Sequence, residues 1–169
     1  MPRHVLVAYG TRSGSTAEIA RFVARTLRDE GLDADALPVS ETTDIGRYDA
    51  VVIGGALYTG RWPREVRHFA WRNRKTLRER AVWAFSSGPL DTSASERDIP
   101  PVPSARRAMR WTRARDHATF GGRLDAKAQG HMAKLMLDDD RGGDFRDLDD
   151  IAEWATGVAA EVRELPERL

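Results

Sequence analysis

The chain contains no cysteine. Disulfides, thiolate metal sites and cysteine nucleophiles are therefore excluded, and nothing calls for an oxidising compartment. No apolar run approaches the roughly 18 residues of a membrane span. No charged-then-apolar leader opens the chain, since MPRHVLVAYG runs directly into a strand pattern. The expectation is a cytoplasmic protein without stable membrane insertion. Lysine is scarce: Lys75, Lys127 and Lys134 are three of 27 basic residues, and the rest are arginine. Two phosphate fingerprints are missing as well, the dinucleotide pattern G-x-G-x-x-G and the ATP/GTP loop ending in Lys-Ser/Thr.

What is present fits one globular domain, 1–169, with its own core. The net charge is +1 but unevenly spread. Residues 61–80 carry eight Arg or Lys against two Glu, and 104–115 carry five Arg and no acid. Residues 138–169 carry eleven acids against four Arg. Such asymmetry marks either a docking surface for anionic groups or solvated faces in an arginine-rich composition. No nucleic-acid partner is expected.

Hydrophobic patterning alternates strands with helices. HVLVAY is short, apolar and β-branched, a buried strand. STAEIARFVARTLRDEG places Ile19, Val23 and Leu27 at helical spacing and stops at Gly31. LDADALPV and YDAVVIGGALY read as the second and third strands, the third apolar throughout its centre as an interior parallel strand should be. Residues 63–80 read as one helix with Val66, Phe69, Ala70 and Leu77 on one face. AVWAFSSG is a fourth strand, and the Ser- and Pro-rich PLDTSASERDIPPVP is a loop. A short helix opened by Ser104 and a fifth strand in DHATFGG follow. AKAQGHMAKLML reads as another short helix and DDDRGGD as a turn. The last helix carries Leu148, Ile151, Ala155, Val158 and Val162 on one face. This alternation predicts a five-stranded doubly wound parallel sheet with helices on both faces. Ligands in such sheets sit beyond the carboxyl ends of the strands, here at residues 10–16, 55–62 and 86–93.

The first of these loops offers hydroxyls from Thr11, Ser13, Ser15 and Thr16, with amides at a helix start, which suits a phosphate. Gly14 lets the backbone approach closely. An ordinary N-cap cluster has the same composition. In the second loop, small residues precede Tyr58 and Trp62, either of which could stack on a flat ring; Trp62 could equally pack against the following helix. The third loop, SSGPLD, again combines small residues with free amides.

Together the three loops resemble the flavodoxin-like family. The family's phosphate motif, roughly Thr/Ser-x-Thr/Ser-Gly-x-Thr, is matched by Thr11, Ser13, Gly14 and Thr16. VVIGGALYTGRWP looks like the second flavin loop, and VWAFSSGPLD stands where the third belongs. The likeness is greatest to the branch that includes menaquinone-dependent protoporphyrinogen IX dehydrogenases, which also carries an arginine in the phosphate loop, as Arg12 does here. The resemblance implies the strand order 2-1-3-4-5 and FMN as cofactor. Its phosphate would lie on Thr11, Arg12, Ser13, Gly14, Ser15 and Thr16, with Arg12 solvent-facing. Its ring would lie between Ala56, Leu57, Tyr58, Thr59, Gly60 and Trp62 on one side and Ser86, Ser87, Gly88, Pro89, Leu90 and Asp91 on the other. The third loop lacks an aromatic residue, so two-sided stacking is not expected, and the insertion before the last helix ends in acids rather than bases.

Flavin chemistry lives in the cofactor, so no triad is expected and the catalytic residues stay open. Arg61 and Arg64 start the helix beside the second loop and are candidates for the rim of an anionic substrate. His131 is the one histidine placed to approach a substrate; His4, at a strand start, is expected at the surface, and His117 opens the fifth strand. No metal site is expected. Three functions follow from the resemblance: an oxidoreductase acting on a protoporphyrinogen or quinone-type substrate, a non-enzymatic electron carrier that docks to a redox partner protein, or an FMN-free interaction module. A homodimer is the preferred assembly.

Overall fold

A computed structural model describes residues 2–10, 14–57, 60–87, 100–120 and 146–167, and for 14, 15, 146 and 147 the backbone only. The chain order is β1 (His4–Tyr9), α1 (Gly14–Asp29), β2 (Asp33–Pro38), β3 (Ala50–Ala56), α2 (Arg64–Arg72), α3 (Arg74–Arg78), β4 (Ala81–Ser87), α4 (Pro103–Thr112), β5 (His117–Phe120) and α5 (Arg146–Arg163). Single 3-10 turns at Val39–Glu41 and Ile45–Arg47 carry the chain from β2 to β3. All five strands are parallel in the order β2-β1-β3-β4-β5, the flavodoxin-like arrangement.

The two central strands explain the apolar runs. Every residue of β3 and β4 is buried, because helices cover both faces of a doubly wound sheet. Alternate residues serve opposite layers. Trp83, Phe85, Ala118 and Phe120 pack with α1 and α5, while Val82, Ala84, Val51 and Ile53 pack with α2 and α4. α1 buries Ile19, Val23 and Leu27 completely. It ends in a Schellman motif: the Leu32 amide reaches the Leu27 carbonyl, the Gly31 amide reaches that of Arg28, and Gly31 adopts φ +91°. The predicted face of α5 is likewise inside, with Leu148, Ile151, Ala155, Val158 and Val162 all buried.

The helix expected over 63–80 is two helices. Asn73 leaves helical geometry at φ −101°, ψ 12°, and its Nδ2 donates to the Phe69 carbonyl at 3.0 Å. The side chain thus satisfies one of the carbonyls orphaned at the end of α2, and α3 begins anew at Arg74 and buries Leu77. Pro103, not Ser104, opens α4, using the position where a missing N–H costs nothing. The helix expected at 126–137, the turn at 138–144 and most of the 92–103 loop lie outside the described residues.

Candidate functional site

The carboxyl ends of β1, β3 and β4 bring the three sequence loops to one edge of the sheet. β1 runs into Gly10, whose amide donates to the Gly54 carbonyl at 3.3 Å. A Cβ on Gly10 would stand 2.9 Å from Val66 Cγ2 and 3.1 Å from Glu65 Oε1. Only a glycine lets the first loop lie this close to the opening turn of α2. α1 then begins at Gly14, so its first amides face this edge.

Thr16 is fully buried, and its Oγ1 lies 2.7 Å from Ser87 Oγ. This bond ties the first loop to the third across β1, β3 and β4. Two hydroxyls that share one mutual bond keep one O–H available for a further acceptor. The Leu57 amide donates to the Ser87 carbonyl at 2.9 Å and ties in the second loop. Gly60, at φ +72°, supplies the left-handed residue that turns this loop toward α2. Ala56 is buried and Leu57 half-buried at the same edge.

Trp62 has a packing role. It is buried, its backbone amide donates to Ser104 Oγ at 3.0 Å, and its Nε1–H donates to Ser86 Oγ at 2.8 Å. Its ring lies on Gly55, where an added Cβ would meet ring atoms at 2.9 Å. Of the two roles open to Trp62 in the sequence, packing beneath the second loop is the one this geometry supplies.

Ser86 continues that chain. Its Oγ lies 2.8 Å from His117 Nε2. Ser86 Oγ thus accepts from the indole and shares its second bond with the imidazole, in which either the hydroxyl or the ring N–H supplies the proton. His117 Nδ1 is buried without a partner among the described residues. Burial lowers the His117 pKa to about 4, against the opposing pull of Asp116. This network was missed in the sequence. Its members lie 24 and 31 positions apart, and the one local hint was a serine interrupting an apolar strand.

At the start of α2 an open cavity of ≈ 440 Å³ is lined by Pro63, Arg64, Glu65 and His68. Arg61 is exposed beside it in sequence. Sequence reasoning had placed Arg64 at such a rim and had assigned His68 nothing. His4, expected at the surface, is half-buried and bonds Asp35 Oδ2 at 2.9 Å. Thr11, Arg12, Ser13, Tyr58, Thr59, Gly88, Pro89, Leu90, Asp91 and His131 lie outside the described residues, as does the side chain of Ser15. Among the described residues no cluster of His, Asp or Glu could hold a metal, and no helix is long and apolar enough to cross a membrane.

The family described as Flavodoxin domain matches residues 6–139. Curated relatives include protoporphyrinogen IX dehydrogenase [quinone] from Escherichia coli K12 and from Escherichia coli O157:H7. Each is 31% identical over 104 residues, 60% of this chain and 57% of the relative. The match thus spans little more than half the length of those relatives. Among solved structures, a flavodoxin from the domain Archaea superposes with a TM-score of 0.64 at 14% identity, covering 95% of this chain and 99% of the other. The Streptococcus pneumonia TIGR4 flavodoxin does so at 0.59 and 21%, covering 94% and 99%. At these identities the solved structures establish the fold.

Proposed function

The chain belongs to the flavodoxin domain family, and from that membership we propose that it binds FMN at the three loops and works as an oxidoreductase of the protoporphyrinogen- or quinone-linked type. The observation that carries the reading is the Thr16–Ser87 bond of 2.7 Å. It joins the candidate phosphate loop to the candidate third ring loop and leaves a hydroxyl proton for an acceptor such as a phosphate oxygen. The described residues fit the cofactor: a helix start with this hydroxyl pair beside it.

When bound, FMN would supply the acceptance and release of electrons. The chain's own residues position and screen. Thr16, with Thr11, Ser13, Ser15 and the amides from Gly14 onward, would hold the phosphate. Ala56, Leu57, Tyr58, Thr59 and Gly60 would form one wall of the ring site, and Ser87 with Gly88, Pro89, Leu90 and Asp91 would form the other. Trp62, Ser86 and His117 hold the walls from beneath. Arg64 and His68, with Arg61 nearby, line the open cavity and would meet carboxylates of an anionic substrate. The dehydrogenase likeness in the matched relatives supports the substrate class.

The test is the visible spectrum of the purified protein, followed by turnover with protoporphyrinogen and a quinone acceptor. The reading expects flavin absorption and turnover. A yellow protein without turnover would leave the electron carrier, and a colourless one that takes up no FMN would leave the interaction module. Arg61→Ala and Arg64→Ala should raise KM for the anionic substrate and spare that for a neutral quinone.

A further inference from the structure

The structure brings the two basic segments of the sequence onto one surface. α2 and α3 carry the first and α4 the second, and the three helices pack together on the same side of the sheet. Near the carboxyl ends of α2 and α4, Trp71 is 46% exposed, the only large hydrophobic so placed among the described residues. Its ring meets Trp111 in a T-shaped contact at 5.1 Å, and the Arg74 guanidinium lies 3.7 Å from its centroid. Arg78 donates from Nε to the Trp111 carbonyl at 2.7 Å and fixes α3 to α4. Arg107 and Arg110 are exposed on α4. Among the described residues none of these four arginines forms an ion pair with a carboxylate.

We propose that this face docks an acidic protein surface. Tryptophan and arginine are the residues that dominate binding energy at protein interfaces. A guanidinium stacked on an indole is already ordered, so less rotamer freedom is lost when it receives a carboxylate in its two-pronged fork. The charge calls for an acidic partner, and the shape selects protein over the other anionic surfaces. A lipid-binding face needs several apolar side chains to enter the bilayer, whereas here a single tryptophan is exposed and Arg74 lies across it. A single-stranded nucleic acid needs open ring faces for base stacking, and the Trp71 ring is engaged by both Arg74 and Trp111. The cofactor loops adjoin the amino ends of α2 and α4. Trp71 is the eighth of the nine residues of α2, roughly 10 Å along the axis from its first residue, so a partner docks here without closing the site.

The experiment uses the full chain at physiological salt with three probes: a fluorescent Asp/Glu-rich 20-residue peptide containing two leucines, vesicles of phosphatidylglycerol and phosphatidylcholine, and a single-stranded oligonucleotide. The peptide should bind most tightly. Trp71→Ala and the pair Arg74→Glu/Arg78→Glu should each weaken it at least tenfold, while Arg21→Glu/Arg25→Glu on α1 should change it less than twofold. Thermal melting of each variant shows that it is folded, and Trp71→Phe, which keeps a ring under Arg74, should retain most of the affinity. An absence of peptide binding, equal losses in the α1 control, or tighter Trp71-dependent binding of vesicles or oligonucleotide would overturn the proposal.

Discussion

On one side of the sheet Phe85, Phe120 and Trp154 close the core with ring centroids 5.7 to 6.4 Å apart; on the other, a hydrogen-bond chain from Trp62 through Ser86 to His117 runs through the interior. The first layer, under α1 and α5, has this aromatic cluster at its centre, with polar contacts at its margins, Trp154 Nε1 donating to Asp116 Oδ2 and Thr16 Oγ1 meeting Ser87 Oγ. The second, under α2 and α4, includes polar groups whose geometry depends on one another. The difference teaches where function can be coupled to the fold. An aromatic cluster responds to volume. A buried hydrogen-bond chain responds to protonation and passes its geometry to the loop that follows Ser86.

The comparison breaks most visibly at Phe85. It is fully buried, so Phe85→Ala should cost about 3–5 kcal/mol in urea denaturation, with no change in pH dependence. A loss under about 1 kcal/mol would mean that the aromatic layer is not the main packing unit.

The polar layer should show itself next, through pH. His117 is neutral in the fold with a pKa lowered to about 4, below the ordinary 6.5 or so of an unfolded histidine. The unfolded chain therefore takes up the proton first. This contribution to stability is complete above about pH 6.5 and is lost as pH falls toward 4, roughly 2–3 kcal/mol in all. Between pH 7 and 4 the measured unfolding free energy of the wild type should fall by that much more than that of His117→Gln. Parallel curves would show that His117 is not buried as a neutral base.

A smaller effect is expected at Gly55, where the Trp62 ring leaves no room for a Cβ. Gly55→Ala should cost about 1–3 kcal/mol through overpacking, visible as a lower urea midpoint. The smallest belongs to the exposed Arg21–Glu18 pair on α1, where N and O are 2.7 Å apart. Arg21→Ala should change stability by less than about 0.5 kcal/mol, a difference that shrinks further in high salt.

Much of this was legible in the sequence, for physical reasons. β3 and β4 are covered on both faces, so their apolar runs announce interior parallel strands. α1 and α5 carry clean helical stripes because each packs one face on the sheet. The break at Asn73 was not legible, because the apolar positions Val66, Phe69, Ala70 and Leu77 are compatible with one continuous helix. What divides them is a single asparagine bonding back to Phe69. At the site, the hydroxyl-rich loop and the small residues after β3 and β4 were readable as loop chemistry. Trp62 carried two readings until its indole was seen on Ser86 and Gly55. The partnership of Ser86 with His117 had no local signature, since it exists only once β5 lies beside β4.

The most direct test of the account is an FMN titration of the apoprotein, comparing wild type with Thr11→Ala/Ser13→Ala/Thr16→Ala by flavin fluorescence quenching. The account predicts one FMN per chain for wild type. It also predicts affinity weakened by roughly 2–4 kcal/mol in the triple variant, since each lost hydrogen bond is worth about 0.5–1.5 kcal/mol and more toward a charged phosphate. Equal affinity in the two proteins, or no binding by either, would contradict it.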